Sequence, residues 1–331
     1  MRPFPPLPDL DETDAPDGLL DGHLWLLELI DGTGLRFSMD ESGLLRFGGP
    51  ATAYDGPDAV PLALRPAVRH VRDRFDREAL RRAVADPAGV TFLGVATHRR
   101  GTDYDWDRIP PFLGTDVWAG DDAPEADATD GAFRPPDAAA AIFEGVGLDP
   151  VNAVAREVNA RDFDPDEYAV PASAWRDGPA AGVVVRNKRG GRGRIERGTG
   201  CEAARGEGRD PADAGADGSA DPDELAATHA RPERFERVAA ALDRRGEPAT
   251  VDALADRTVE AVARETALGF GSGASGPDGV DVDRFRASRR RARAGVPRRS
   301  PGGGVRRSLG GSVRRSERRG VAPGRPTGGG P

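Results

Sequence analysis

The sequence predicts an α+β protein in which antiparallel sheets are flanked by helices. Three observations carry that prediction. Short apolar runs bounded by turn signals recur at residues 24–30, 35–39, 44–47, 90–95, 113–118 and 181–187. Apolar residues fall at helical spacing after Pro66, and a helix is expected over Pro136–Val146. Beyond Asn187 the composition turns to Gly, Arg and Ala, and patterned sequence returns only in two helical segments between Pro232 and Leu268.

Residues 1–22 carry five prolines and many acids, and read as an extended lead-in. His23–Phe37 then reads as a strand, a tight turn through Asp31-Gly32 and a second strand, because an apolar run meets the strongest short hairpin signal. Ser42-Gly43 supplies the next turn, so the three runs predict a meander whose core face holds Trp25, Leu27, Phe37 and Phe47. Pro66 suits the first turn of a helix carrying Val68, Val71 and Phe75, and Leu80 and Val84 continue on a shorter one. Val90–Val95 and Leu113–Trp118 are buried strands, Asp121–Asp130 an acidic loop, and Ala181–Asn187 the last strong strand. Residues 188–220 lack apolar periodicity and cannot bury enough surface to offset chain entropy. Phe235, Val238, Ala239 and Leu242 share one helical face, and Thr250 caps a further helix.

Composition narrows the function classes. From Arg284 to Pro331 there are 15 Arg and one acid, so the total of −8 leaves −22 on residues 1–283. A body this acidic suits a high-salt cytoplasm, where self-repulsion is screened. Lys188 is the sole lysine, which limits any lysine-based chemistry. One cysteine, Cys201, excludes an intramolecular disulfide and a cysteine-based zinc site. Met1–Leu10 has no apolar stretch of the kind a signal peptide needs, and no run is long enough to span a membrane, so the expected location is cytoplasmic.

Four segments, taken in order, resemble the lysine-dependent nucleotidyltransferases, a superfamily of ATP-dependent RNA and DNA ligases and capping enzymes. Its first motif runs Lys-x-Asp-Gly, three residues, then Arg. Here Asp31, Gly32 and Arg36 stand in place, and Leu29 holds the lysine position. Phe92–Thr97 resembles the third motif, with Val95 where a glutamate would hold the ribose. Leu113–Trp118 resembles the following strand, whose aromatics, here Trp118, help enclose the base. Gly178–Asn187 resembles the fourth motif, with Arg186 retained and Ala181 where a glutamate would help hold the metal. Arg192-Gly193-Arg194-Ile195 is the candidate for the fifth, with Arg194 in place of a phosphate-gripping lysine. In order and spacing the chain looks most like RNA ligase proteins of salt-loving archaea.

The resemblance implies a ligase adenylation-domain fold over residues 23–195, a low-complexity linker over 196–221, a small helical region over 222–270 and a disordered Gly/Arg-rich tail over 271–331. It implies ATP and Mg²⁺ as cofactors, nucleotide and RNA as partners, and nucleotide contacts by Asp31, Gly32, Arg36, Trp118, Arg186 and Arg194. The family's first step is attack of an uncharged lysine amine on the α-phosphate of ATP. Leucine has no lone pair, alanine ligates no metal and valine accepts no hydrogen bond. The expectation is a catalytically impaired relative, with a non-catalytic nucleotide-, RNA- or partner-binding protein as the alternative. Residues 188–220 and 287–331 also have the composition of a GC-rich gene read in a shifted frame.

Other residues carry plainer readings. Asp31 and Gly32 can serve the turn alone, and Arg36 and Arg186 can be solvated strand charges. His98 lacks a second ligand at metal spacing and is expected to hydrogen-bond. Asp103, Asp105 and Asp107 alternate as on one strand face, where they could bind Mg²⁺ or form a solvated edge.

Overall fold

Nine strands form two antiparallel sheets in the computed structural model, which describes residues 1–10, 15–120, 131–196 and 232–266, with residues 270, 271, 280, 281 and 287. Met1–Gly295 is one compact unit; Val296–Pro331 forms a second and lies outside the described residues. The tail expected over 271–331 therefore lies outside them, apart from residues 271, 280, 281 and 287. So do the acidic loop at 121–130, Cys201 and the linker beyond Glu196.

The first sheet has four strands in the order β7 (Ala153–Asn159), β1 (His23–Glu28), β8 (Val183–Asn187), β9 (Arg192–Ile195). The second has five, ordered β3 (Leu45–Gly48), β2 (Gly32–Met39), β4 (Val90–Thr97), β5 (Phe112–Gly120), β6 (Gly131–Phe133). A separate two-residue parallel pair joins Phe270–Gly271 to Val280–Asp281. The fold class is α+β with antiparallel sheets flanked by helices.

One expectation is corrected here. β1 and β2 do not pair as a hairpin; the chain crosses from one sheet to the other at Leu29–Asp31. The Asp31 carboxylate accepts the N–H groups of Gly101 and Thr102, at 2.7 Å each, and so joins the crossing to the loop after β4 instead of closing a two-residue turn. Only β2 and β3 form the expected hairpin, through Ser42-Gly43. The proposed common core face is also divided. Trp25 and Leu27 lie between the sheets, whereas Phe37 and Phe47 face the helices.

That helix-side core follows from period-two alternation. Leu35, Phe37 and Met39 point one way from β2 and meet Phe92 of β4 and Phe112 of β5. The Phe37 and Phe92 rings stack at 4.9 Å, and Phe75 meets both edge-on at 5.2 and 5.3 Å. Over them lie α1 (Arg65–Arg74), α2 (Arg77–Ala83) and α3 (Pro136–Gly145). α1 buries Ala67, Val68 and Val71, and α2 is capped by Asp76, which accepts from the Ala79 N–H. On the outer face of the first sheet, Leu24 and Leu26 pack with Val183, Val185 and Ile195.

Strand β9 orders the start of residues 188–220, a stretch expected to bury too little surface to fold, and coincides with the segment read as the fifth motif of the 23–195 domain. Arg192–Ile195 forms a strand because its arginines and glycine find partners across the sheet and beyond it, as described below. Its neighbours 197–220 lie outside the described residues. α4 (Pro232–Arg244) and α5 (Val251–Glu265) pair through Val238, Leu242 and Leu254, with Thr250 capping α5. α5 docks on the rest through Glu260, bridged to Arg69, and through Arg264, which donates to the carbonyls of Thr97 (3.1 Å) and Ile109 (2.7 Å). Among the described residues, no helix is long and apolar enough to cross a membrane.

Candidate functional site

The two sheets face one another, and their registers decide which side chains share the space between them. On the five-stranded sheet Gly34 pairs with Val95, Arg36 with Leu93 and Thr91 with Trp118. These residues therefore share the inner face. A bulge between Leu93 and Gly94 puts Asp116 opposite Leu93 and Leu113 opposite Val95, so both turn inward. On the four-stranded sheet Trp25 pairs with Arg186, Leu27 with Val184, Val184 with Arg194 and Arg186 with Arg192. This second inner face is apolar at one end and arginine-rich at the other.

The apolar end is a closed cluster of Trp25, Leu27, Ile30, Tyr104, Ile109, Leu113 and Val151, with Val95 and Val184 packed on it. The charged end centres on Asp116. Its Oδ1 lies 2.9 Å from Arg186 Nη2 and 2.6 Å from Arg192 Nη1, and all three residues are buried. Arg186 also donates to the carbonyl oxygens of Thr115 (2.8 Å) and Arg134 (3.4 Å). Burial lowers the Arg186 pKa, and Asp116 opposes that effect. Every nitrogen of this guanidinium but Nε has an internal partner.

The remaining inner surface is covered by the first residues of the chain. Arg36 Nη1 donates to the Arg2 carbonyl at 3.0 Å, and its Nη2 donates to the Ala51 carbonyl at 3.3 Å. The Arg2 guanidinium lies 4.5 Å over the Trp118 ring, and the Arg2 N–H donates to Thr91 Oγ1 at 3.2 Å. Arg194 donates its N–H to the Pro8 carbonyl at 2.9 Å and has its Nε 3.8 Å from Asp9.

The other positions singled out from sequence fall as follows. Leu29 is half-buried where β1 ends, and its N–H donates to the Gly182 carbonyl at 3.0 Å, beside Ala181. Gly32 opens β2 opposite Thr97. The Asp31 N–H donates to the Tyr104 hydroxyl at 2.8 Å, so backbone and carboxylate alike serve the crossing. Thr33 and His98 are hydrogen-bonded at 2.8 Å, and burial pushes the His98 pKa down to about 4. Asp103, Asp105 and Asp107 lie in the connection between β4 and β5 rather than on a strand. Each has an arginine partner, Arg99, Arg108 and Arg237 respectively.

Sequence reasoning missed three participants. Asp116 was legible only as an acid inside an apolar strand, and Arg2 only as part of a lead-in. Glu28 is buried immediately before Leu29, where it accepts from Asn152 Nδ2 (2.8 Å), Ser173 Oγ (2.5 Å) and the Ala174 N–H (3.1 Å). It pins the loops beside Leu29.

No protein-family model and no curated protein matches the chain. Solved structures do. An archaeal ATP-dependent RNA ligase (form 2) aligns at TM-score 0.40 and 13% identity, over 88% of this chain and 62% of its own. The Naegleria gruberi RNA ligase with PPi aligns at TM-score 0.44 and 9% identity, over 63% and 59%. Form 1 of the archaeal ligase gives 0.40 and 14%, over 80% and 63%. The chain thus spans less than two thirds of their length, and likeness this distant assigns no role to any residue here.

The inner face does not fit the divalent cation that the motif resemblance implies. The Asp116 carboxylate is taken by two guanidiniums, and positions 95 and 181 are apolar. Among the described residues, no cluster of His, Cys, Asp and Glu is arranged to hold a metal.

Proposed function

We propose that this chain is a non-catalytic relative of the ATP-dependent RNA ligases. It keeps their sheet framework and lacks the adenylyl-transfer step. Its partners on this reading are nucleotide and RNA in the cytoplasm. Arg36 and Trp118 supply the guanidinium and indole face that phosphate and base contacts call for.

The observation that carries the reading is the state of the sole lysine. Attack on a phosphate needs an uncharged amine. Position 29 offers leucine, and Lys188 lies on the surface with its Nζ 2.8 Å from Glu157 and 3.3 Å from Asp137. Hydrogen bonds to Glu157 and Asp137 raise its pKa, so the ammonium is held charged. Such a lysine is a poor nucleophile, being held protonated by two carboxylates. The test is incubation with labelled ATP and Mg²⁺, followed by a denaturing gel. Neither the wild type nor Lys188→Ala should carry label. A labelled band that Lys188→Ala abolishes would overturn the reading.

A further inference from the structure

We propose that residues 1–10 form an intramolecular strap, a built-in peptide ligand that covers the inner face and excludes nucleotide until it is released. The strap's docking stands on its own contacts; the exclusion of nucleotide rests on the function proposed above.

The contacts lie at both ends of the segment and on both sheets. At the start, Arg2 stacks on Trp118, takes a hydrogen bond from Arg36 through its carbonyl, and gives one to Thr91. Phe4 lies on β2, where a Cβ at Gly34 would sit 2.9 Å from its ring. The glycine thus makes room for the aromatic ring. At the far end Pro8 to Leu10 run parallel to β9, with hydrogen bonds from Arg194 to Pro8 and from Leu10 to Arg194, at 2.9 and 2.8 Å. Leu10 is buried against Gly193, where a Cβ would lie 2.6 Å from it. β9 would otherwise be an unpaired edge strand, and the segment covers that edge as an added strand.

Composition suits the task. Prolines at positions 3, 5, 6 and 8 hold the backbone extended before it docks, so little chain entropy is lost on binding. The segment is also poised to leave. Pro3 and Pro6 are exposed, and Arg2 and Phe4 are only partly buried. Two of the positions where the resemblance places nucleotide contacts, Arg36 and Trp118, are occupied by Arg2. A cationic guanidinium on an indole face takes the place a base would stack on.

The experiment uses a chain lacking residues 2–8 and a fluorescent peptide of residues 1–8. The folded truncated chain should bind the peptide saturably in fluorescence anisotropy, and the full chain should not. A peptide carrying Arg2→Ala and Phe4→Ala should bind at least tenfold more weakly. Absence of peptide binding to the truncated chain would overturn the strap. ATP should displace the bound peptide; a peptide that ATP cannot displace would leave the strap standing and remove the nucleotide reading of this face. If the truncated chain does not fold, the full chain decides. With Cys201→Ser and Thr91→Cys, thiol modification should be at least tenfold faster when Arg2→Ala and Phe4→Ala are added. Equal rates would overturn the strap.

Discussion

Replacing Asp116 with asparagine removes one negative charge from between two buried guanidiniums and leaves the shape of the side chain nearly unchanged. Its Oδ1 is 2.9 Å from Arg186 and 2.6 Å from Arg192, and the three residues are 6%, 3% and 8% exposed. Removing one partner of a buried ion pair costs about 3–5 kcal/mol, because the charge left behind has lost its solvent and its counter-ion together. Asn keeps one acceptor, and Arg186 keeps its bonds to the carbonyls of Thr115 and Arg134, which places the expected cost near the lower bound, at about 3 kcal/mol. Against a total stability of about 5–15 kcal/mol this is a large fraction. Urea unfolding should show it as a midpoint lowered by roughly 1–1.5 M at unchanged slope, for a slope of about 2–3 kcal/mol per molar. Adding Arg192→Met to Asp116→Asn should recover part of the loss, since only one guanidinium then remains unpaired. A loss under about 1 kcal/mol, or strictly additive losses, would refute the claim that Asp116 holds the charged end together.

Three further predictions test separate parts of the account. Burial pushes His98 and His70 down to about 4, and an unfolded histidine titrates near 6.5. From pH 6.5 down towards 4 the unfolded chain therefore binds protons that the folded chain refuses. Stability should fall with pH by up to about 1.4 kcal/mol per unit per histidine. His98→Gln should remove one of the two contributions, and a Tm that stays constant from pH 7 to about 5 would contradict both assignments. Thr250→Ala removes the cap that accepts the Ala253 N–H at 3.1 Å and should cost about 1 kcal/mol in the same urea titration; no change would mean that the start of α5 is held by its packing alone. Gly34→Ala places a methyl group under the Phe4 ring and should release the strap, seen as faster thiol modification at Thr91→Cys, with stability changed by less than about 1 kcal/mol. Unaltered labelling would show that Phe4 yields without the strap leaving.

The sequence showed where strands and helices lie more readily than how they pair. β4, β5 and β8 are apolar runs between turn signals, and α1, α3 and α5 announce themselves by helical spacing with Pro or Thr at the start. The Asp31-Gly32 pair misled because a hairpin turn and a sheet-to-sheet crossing use the same residues. What separates them is the loop at 101–102, seventy residues on, which takes the carboxylate. β9 was legible only through the motif resemblance, for a related reason. Arg-Gly-Arg-Ile has no apolar alternation, and its strand exists because Arg192 finds Asp116 and Gly193 admits Leu10. The strap was legible as extended chain from its prolines. Its docking was not, since the contacts are made by the Arg2, Phe4 and Leu10 side chains and by scattered backbone groups rather than by a periodic face. The inner face itself could be read in part. Arg36 and Arg186 stood out through the motif resemblance, whereas the partner of Arg186, a single aspartate in an apolar strand, carried no pattern of its own.

The proposed function rests on leucine, valine and alanine standing where the motif resemblance places a nucleophilic lysine and two glutamates. Restoring them tests it most directly. The variant Leu29→Lys, Val95→Glu, Ala181→Glu, made together with Arg2→Ala and Phe4→Ala so that the strap does not cover the face, is incubated with ATP and Mg²⁺ and weighed intact. The account predicts a mass gain of one AMP, mapped to position 29 and absent from every single restoration, because an amine without metal support, or a carboxylate without the amine, completes no site. A folded variant, unfolding at the wild-type temperature, that gains no AMP would contradict it.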